Sequence, residues 1–176
     1  MNNKMLNPRL WAVTGMILLA ALLRLVPHLP NVTPITAMAL FGGAYFSNKK
    51  LAFIVPIAAM ILSDAILGFH STMWAVYLSF ALIVFIGFRL RESKKVTNIF
   101  LAALSSSILF FVITNFAVWT SGLMYPMNFS GLLESFVAGI PFYRNSLLGD
   151  LFYSGVFFGL FELAQSKIHV LADVKA

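Results

Sequence analysis

No cysteine occurs in the 176 residues of this chain, and only six residues are acidic. The first absence removes disulfides, thiolate metal ligands and a thiol nucleophile. The second leaves charged residues at 10%, against roughly 25% in soluble domains, too few to coat a water-facing surface. Gly-rich phosphate loops are missing, so nothing in the chain couples to nucleotide hydrolysis. The three histidines include no His-x-x-x-His pair, and no Ser/His/Asp set has a nucleophile context. A closed, protein-only metal site and a catalytic triad both drop out. The chain does not read as an enzyme.

What it has is hydrophobic length. At 60% hydrophobic residues it suits one integral membrane domain, and six apolar segments can be drawn. They run from about Leu10 to Val26, Thr33 to Phe46, Leu51 to Phe69, Thr72 to Phe88, Asn98 to Trp119, and Ser146 to Gln165. A spanning helix needs about 20 apolar residues. The second segment is short. Ala39 and Gly43 give it a small-xxx-small face, and Gly42-Gly43 permit close approach or a break. The expectation is an all-α, six-span bundle with a short or broken second helix.

Charge sets the orientation. Apart from Arg24 and Arg144, every Lys and Arg falls at the termini, at Lys49-Lys50, in the run 89–95, or at Lys167. With both termini cytoplasmic, all of these land inside, which is the positive-inside pattern of a bacterial inner membrane. That distribution explains the net charge of +6 without nucleic acid. The basic, apolar N-terminus resembles a signal peptide, but no prompt small-residue cleavage site follows, so it reads as a retained helix.

The polar residues gather at the other side. His28, Asn31, His70, Tyr125, Arg144 and Asn145 fall at the outer ends of the segments, with Asp64 and Asp150 a turn or two inside. Pro27, Pro30 and Pro34 stiffen the loop that carries His28 and Asn31. His28 serves equally as a hydrogen-bonding wall or as a headgroup contact. A carboxylate near hydrocarbon is costly and faces a partner, which for Asp64 is Arg24, Arg144 or the Asn115 amide. Such a pair positions a ligand or locks helices. Asn115 and Trp119 share a helix face. Residues 121–145 form the longest outer connection, a loop cap in which Gly131–Gly139 fits an interfacial helix bracketed by Pro126 and Pro141. Gly155 and Gly159 make a GxxxG, most simply a helix-packing face.

Three strings carry a resemblance: 27–46 (PHLPNVTPITAMALFGGAYF), 63–70 (SDAILGFH) and 144–151 (RNSLLGDL). With six helices and no energy module, the chain resembles the substrate-binding S component of an energy-coupling-factor vitamin transporter, nearest to the cobalamin-binding type, among small bacterial membrane proteins. The resemblance implies capture of a vitamin from the outer face, with cobalamin as transported ligand rather than resident cofactor. It implies a partner module of a transmembrane coupling protein and ATPases. It places His28 and Asp64 in the pocket, with Arg144 a third. The cobalamin type often offers cobalt a cysteine; here His70, His28 or Tyr77 would have to stand in. The first helix also departs from the usual Ala-x-x-x-Ala docking face, since Met16 follows Ala12 and Arg24 follows Ala20.

Two other classes fit the same residues. An intramembrane enzyme would use Asp64, Asp150 and a histidine on a lipid-linked substrate. A structural or assembly subunit would use the polar residues only to lock helices.

Overall fold

The computed structural model describes residues 7–171. Lys4 and Lys175, two of the terminal basic residues, lie outside them. The described residues form α1 (Pro8–Leu23), α2 (Ile35–Tyr45), α3 (Lys49–Leu67), α4 (Met73–Arg89), α5 (Val96–Thr120) and α6 (Phe129–Lys167), then a 3₁₀ turn at His169–Leu171. The all-α architecture with six helices matches the six apolar segments.

Spanning length does not. Among the described residues three helices are long and apolar enough to cross a membrane: α3, α5 and α6. The expectation of six such helices is corrected to that extent. The physical reason lies in the ends. Asn7 caps α1, its side chain accepting from Arg9 N at 3.0 Å, and the proline-rich stretch beyond Arg24 stops it after 16 residues. Pro34 delays α2, whose 11 residues rise about 17 Å, roughly half of the 30 Å hydrocarbon thickness.

The short α2 is the hub. Every residue from Thr36 to Tyr45 is buried, and the helix packs against α1, α3, α4, α5 and α6. A helix enclosed on all sides has no polar face to show, and this one reads ITAMALFGGAY. Its glycines matter at one crossing. A Cβ on Gly43 would strike Val84 O and stand 2.9 Å from Gly87 Cα, and one on Gly87 would meet Leu40 O at 2.5 Å. Two backbones therefore touch where α2 crosses α4, the close approach expected of Gly42-Gly43.

Around this hub α1, α3, α4, α5 and α6 follow one another as neighbours, and the 3₁₀ turn packs on both α1 and α6. One end of the bundle gathers Arg9, Asn48, Arg91 and Lys94 and is called the basic end. The opposite end holds Arg24, Thr36, Asp64 and Asp150 and is called the polar end. Between them Phe41, Tyr45, Phe157, Phe158 and Phe161 form a cluster with ring centroids 4.5–6.1 Å apart.

Helix α6 corrects the expected loop cap. Instead of an interfacial piece and a separate span from Ser146, one helix of 39 residues runs straight through Pro141. Asn128 caps it, accepting from Gly131 N at 2.9 Å, so the connection from α5 shrinks to residues 121–128. An interior proline removes one hydrogen bond but need not end a helix supported by neighbours. Here Gly139 lies so close to α5 that a Cβ would strike Asn115 Oδ1. The GxxxG expectation is also corrected: nothing lies within 4 Å of a Cβ on Gly155 or Gly159, so this face packs on no helix among the described residues.

Candidate functional site

Two stripes on facing helices build the site. On α5, Ser107, Phe110, Phe111, Thr114, Asn115 and Val118 recur at helical spacing; on α6, Gly139, Phe142, Tyr143 and Ser146 do the same. Together with Asn31 they line a lobe of about 180 Å³. A second lobe, about 270 Å³, is lined by Arg24, His28, Asn31, Thr33, Ile35, Thr36, Phe110, Ser146 and Asp150. Asn31, Phe110 and Ser146 line both, so the lobes form one cleft at the polar end.

The α1–α2 loop is fixed over this cleft by local chemistry. Asn31 sits at φ +63°, a left-handed conformation that asparagine tolerates. Asn145 Nδ2 donates to Pro30 O at 3.1 Å and pins the loop to α6. Val32 packs under it at Gly149, where a Cβ would stand 3.1 Å from Val32 Cα. His28 Nδ1 lies 2.7 Å from Val26 O. A carbonyl only accepts, so Nδ1 is the donor in this contact, and Nε2 is the ring nitrogen left without this bond.

Asp64 and Asp150 differ in kind. Asp64, 3% exposed, receives Arg24 Nη1 at 2.8 Å and the Tyr77 hydroxyl at 2.7 Å. Arg24 also donates to Ser63 Oγ at 2.5 Å. Of the three partners weighed from sequence, Arg24 is the one present. The pair ties α3 and α4 to the end of α1.

Asp150 is 5% exposed, and no cation pairs with it among the described residues. Its carboxyl faces the hydroxyls of Thr36 and Ser107, although Ser107 Oγ closes no hydrogen bond in this geometry. Thr36 belongs to the first turn of α2, so the partial positive charge of that helix end also bears on the carboxyl.

The remaining expected residues divide. Asn115 lines the cleft while Nδ2 back-bonds to Phe111 O at 2.8 Å. Tyr77 reaches Asp64 rather than the cleft. His70 is exposed on the α3–α4 turn, where its Nδ1 lies 3.0 Å from Thr72 Oγ1. Trp119 donates to Pro126 O at 3.0 Å, while Tyr125 is half-buried in the short α5–α6 turn and Arg144 is exposed on α6. None of these last four lines either lobe. Sequence reading missed Thr36, Ser107, Thr114, Tyr143 and Ser146. Their signal was spacing: Ser107 and Thr114 lie seven apart, as do Gly139 and Ser146, and Ser146 and Asp150 four apart.

Among the described residues no group of three or more His, Asp or Glu could hold a metal ion. Residues 4–171 match the model of a family of unknown function, DUF6580, and the chain belongs to that family. No curated protein and no solved structure matches it.

Proposed function

We propose that this DUF6580 member is a solute-capture protein of the bacterial cytoplasmic membrane, taking a small vitamin-like molecule from the outer face. The single observation behind this reading is Asp150: a buried carboxyl, without a cation of its own among the described residues, lining an open cleft. A carboxylate at membrane depth calls for a donor. A solute that brings an amine or amide N–H supplies it, while Arg24 and Asn115 offer donors and acceptors to the rest of the molecule.

In this reading the basic end is cytoplasmic, all six helices cross or half-cross the bilayer, and the cleft opens outward. Energy comes from a partner module, because the chain has no phosphate loop. Binding is favoured over acid-base catalysis because Asp64 is already held by Arg24 and Tyr77. That leaves one carboxyl at the cleft rather than a working pair.

Size bears on the ligand. Drug-sized pockets run to about 300–1,000 Å³, and the two lobes measure about 180 and 270 Å³. A small amine- or amide-bearing solute fits them. A corrinoid, which the sequence resemblance implies, enters only by an edge unless α5 and α6 part. In that case His28 Nε2 is the imidazole nitrogen beside the cleft, and His70 is not.

The test is thermal unfolding of the full chain in detergent against a panel of vitamins and precursors, with cobalamin read by its retained absorption spectrum. A ligand at a hundredfold excess over its Kd stabilises by about 2.7 kcal/mol. That gain is expected for an amine-bearing compound and is lost in Asp150→Asn. If no compound shifts the transition and no corrinoid is retained, the solute-capture reading falls.

A further inference from the structure

A serine or threonine hydroxyl inside a helix commonly bonds back to a carbonyl one turn earlier. Ser63 Oγ donates in this way to Met60 O at 2.9 Å, Ser79 Oγ to Ala75 O at 2.7 Å and Thr114 Oγ1 to Phe110 O at 2.7 Å. Ser107 is 2% exposed and makes neither this bond nor any other among the described residues. Ser106 and Ser154 are buried and unbonded too, but neither lines the cleft at the polar end. Ser107 does line it, and its hydroxyl is turned toward the Asp150 carboxyl.

Three oxygen-bearing side chains thus converge from three helices. Asp150 comes from α6, Thr36 from the first turn of α2 and Ser107 from α5, with exposures of 5%, 3% and 2%. The basic groups around them are engaged elsewhere or point away. Arg24 pairs with Asp64 at 2.8 Å, His28 Nδ1 lies 2.7 Å from Val26 O, and Arg144 is exposed. A hydroxyl beside a carboxylate normally donates its proton to it. Ser107 Oγ faces the carboxyl without closing that bond. Two oxygens so placed offer lone pairs to a shared space, which is how ligands stand around a metal cation.

The donor set selects the ion. Carboxylate and hydroxyl oxygens are hard ligands and suit hard cations. Among the described residues Asp150 is the only acid lining either lobe. Its single charge is offset in part by the partial positive charge at the start of α2, which leaves too little to balance a divalent ion. A monovalent ion is balanced. The oxygens lie side by side, so the ion that fits among them is a small one.

We propose that Asp150, Thr36 and Ser107 form a sodium-ion site in the wall of the cleft, with water from the open lobe completing the shell. The site requires an ionised Asp150 and no solute, so it stands whether or not the capture reading does. Where both hold, a solute amine and the sodium ion compete for one carboxylate.

Thermal unfolding of the full chain in neutral detergent tests this, in sodium chloride against potassium chloride at equal ionic strength and with no solute added. Sodium at a tenfold excess over its Kd is expected to raise the wild-type transition by about 4 °C relative to potassium, and the gain saturates. Asp150→Asn is expected to lose the sodium gain and to unfold like wild type in potassium. Ser107→Ala raises the sodium concentration needed by roughly tenfold, the scale of one contact to a charged group, while Ser106→Ala leaves it unchanged. Equilibrium dialysis of wild type against radioactive sodium provides a second readout, with near-stoichiometric retention expected. Equal transitions in the two salts overturn the site, as does dialysis without retention. So does a sodium gain that survives in Asp150→Asn or falls equally in Ser106→Ala and Ser107→Ala.

Discussion

Arg24 has two places at the polar end: it holds Asp64 at 2.8 Å and lines the lobe that Asp150 also lines. The two carboxylates therefore respond differently to removal. Losing one partner of a buried ion pair leaves the other charged and alone, at about 3–5 kcal/mol. Asp64→Asn is expected to lower stability on that scale, and Tyr77→Phe by about 1 kcal/mol, the worth of one hydrogen bond. Asp150→Asn breaks no ion pair among the described residues and is expected to leave stability nearly unchanged; under the proposed function it removes the ligand-induced shift. Unfolding curves in detergent for the three variants separate locking from recognition; an Asp64→Asn protein as stable as wild type would show that the pair does not lock the helices. Both carboxylates were visible in the sequence as charges in apolar runs. Which one had a partner was not, because Arg24 and Asp64 are forty residues apart and meet only once α1 and α3 pack.

At the level of helices, glycines that look alike in sequence do different things. Gly43 and Gly87 bring α2 and α4 into backbone contact, while Gly155 and Gly159 face away from the bundle. Gly43→Val is expected to prevent a folded, monodisperse protein, since the side chain would strike backbone at Val84. Leucine at both 155 and 159 is expected to change stability by no more than about 0.5 kcal/mol, as for surface sites. Size-exclusion profiles and melting curves decide it; a folded Gly43→Val protein would refute the crossing. The all-apolar pattern of α2 made its central burial legible in advance. The length of α6 was not legible, because Pro141 carries the same sequence signal whether it ends a helix or is tolerated inside one. That misreading hid the Gly139-to-Asp150 stripe. The α5 wall was hidden similarly: Ser107 ends a short serine run and looks like composition until its register with Thr114 is followed.

For the molecule as a whole the prediction concerns how many helices cross a membrane. Among the described residues three are long and apolar enough by themselves, whereas the basic residues are consistent with six crossings. The absence of cysteine makes this directly measurable, since any introduced thiol is the only one. In the six-crossing arrangement Ser71→Cys and Leu123→Cys react with a membrane-impermeant maleimide on intact cells, while Ser47→Cys and Ser93→Cys react only after permeabilisation. Labelling of Ser71 and Ser93 from the same side would mean that α4 does not cross, and the solute-capture topology would need redrawing.

The 39-residue α6 has a mechanical consequence. Asp150 stands in the cleft at the polar end and Glu162 is bonded to Tyr45 at the basic end, about 18 Å farther along the same rod. Helix α2 runs alongside, with Thr36 at one station and Tyr45 at the other. Two adjacent helices thus run between chambers at opposite ends of the bundle. An axial slip or roll of α6 would move Glu162 against the Tyr45 hydroxyl that is bonded to it. One helix thus has a residue at each end of the bundle, so a displacement of α6 as a rigid rod at one end would be a displacement at the other.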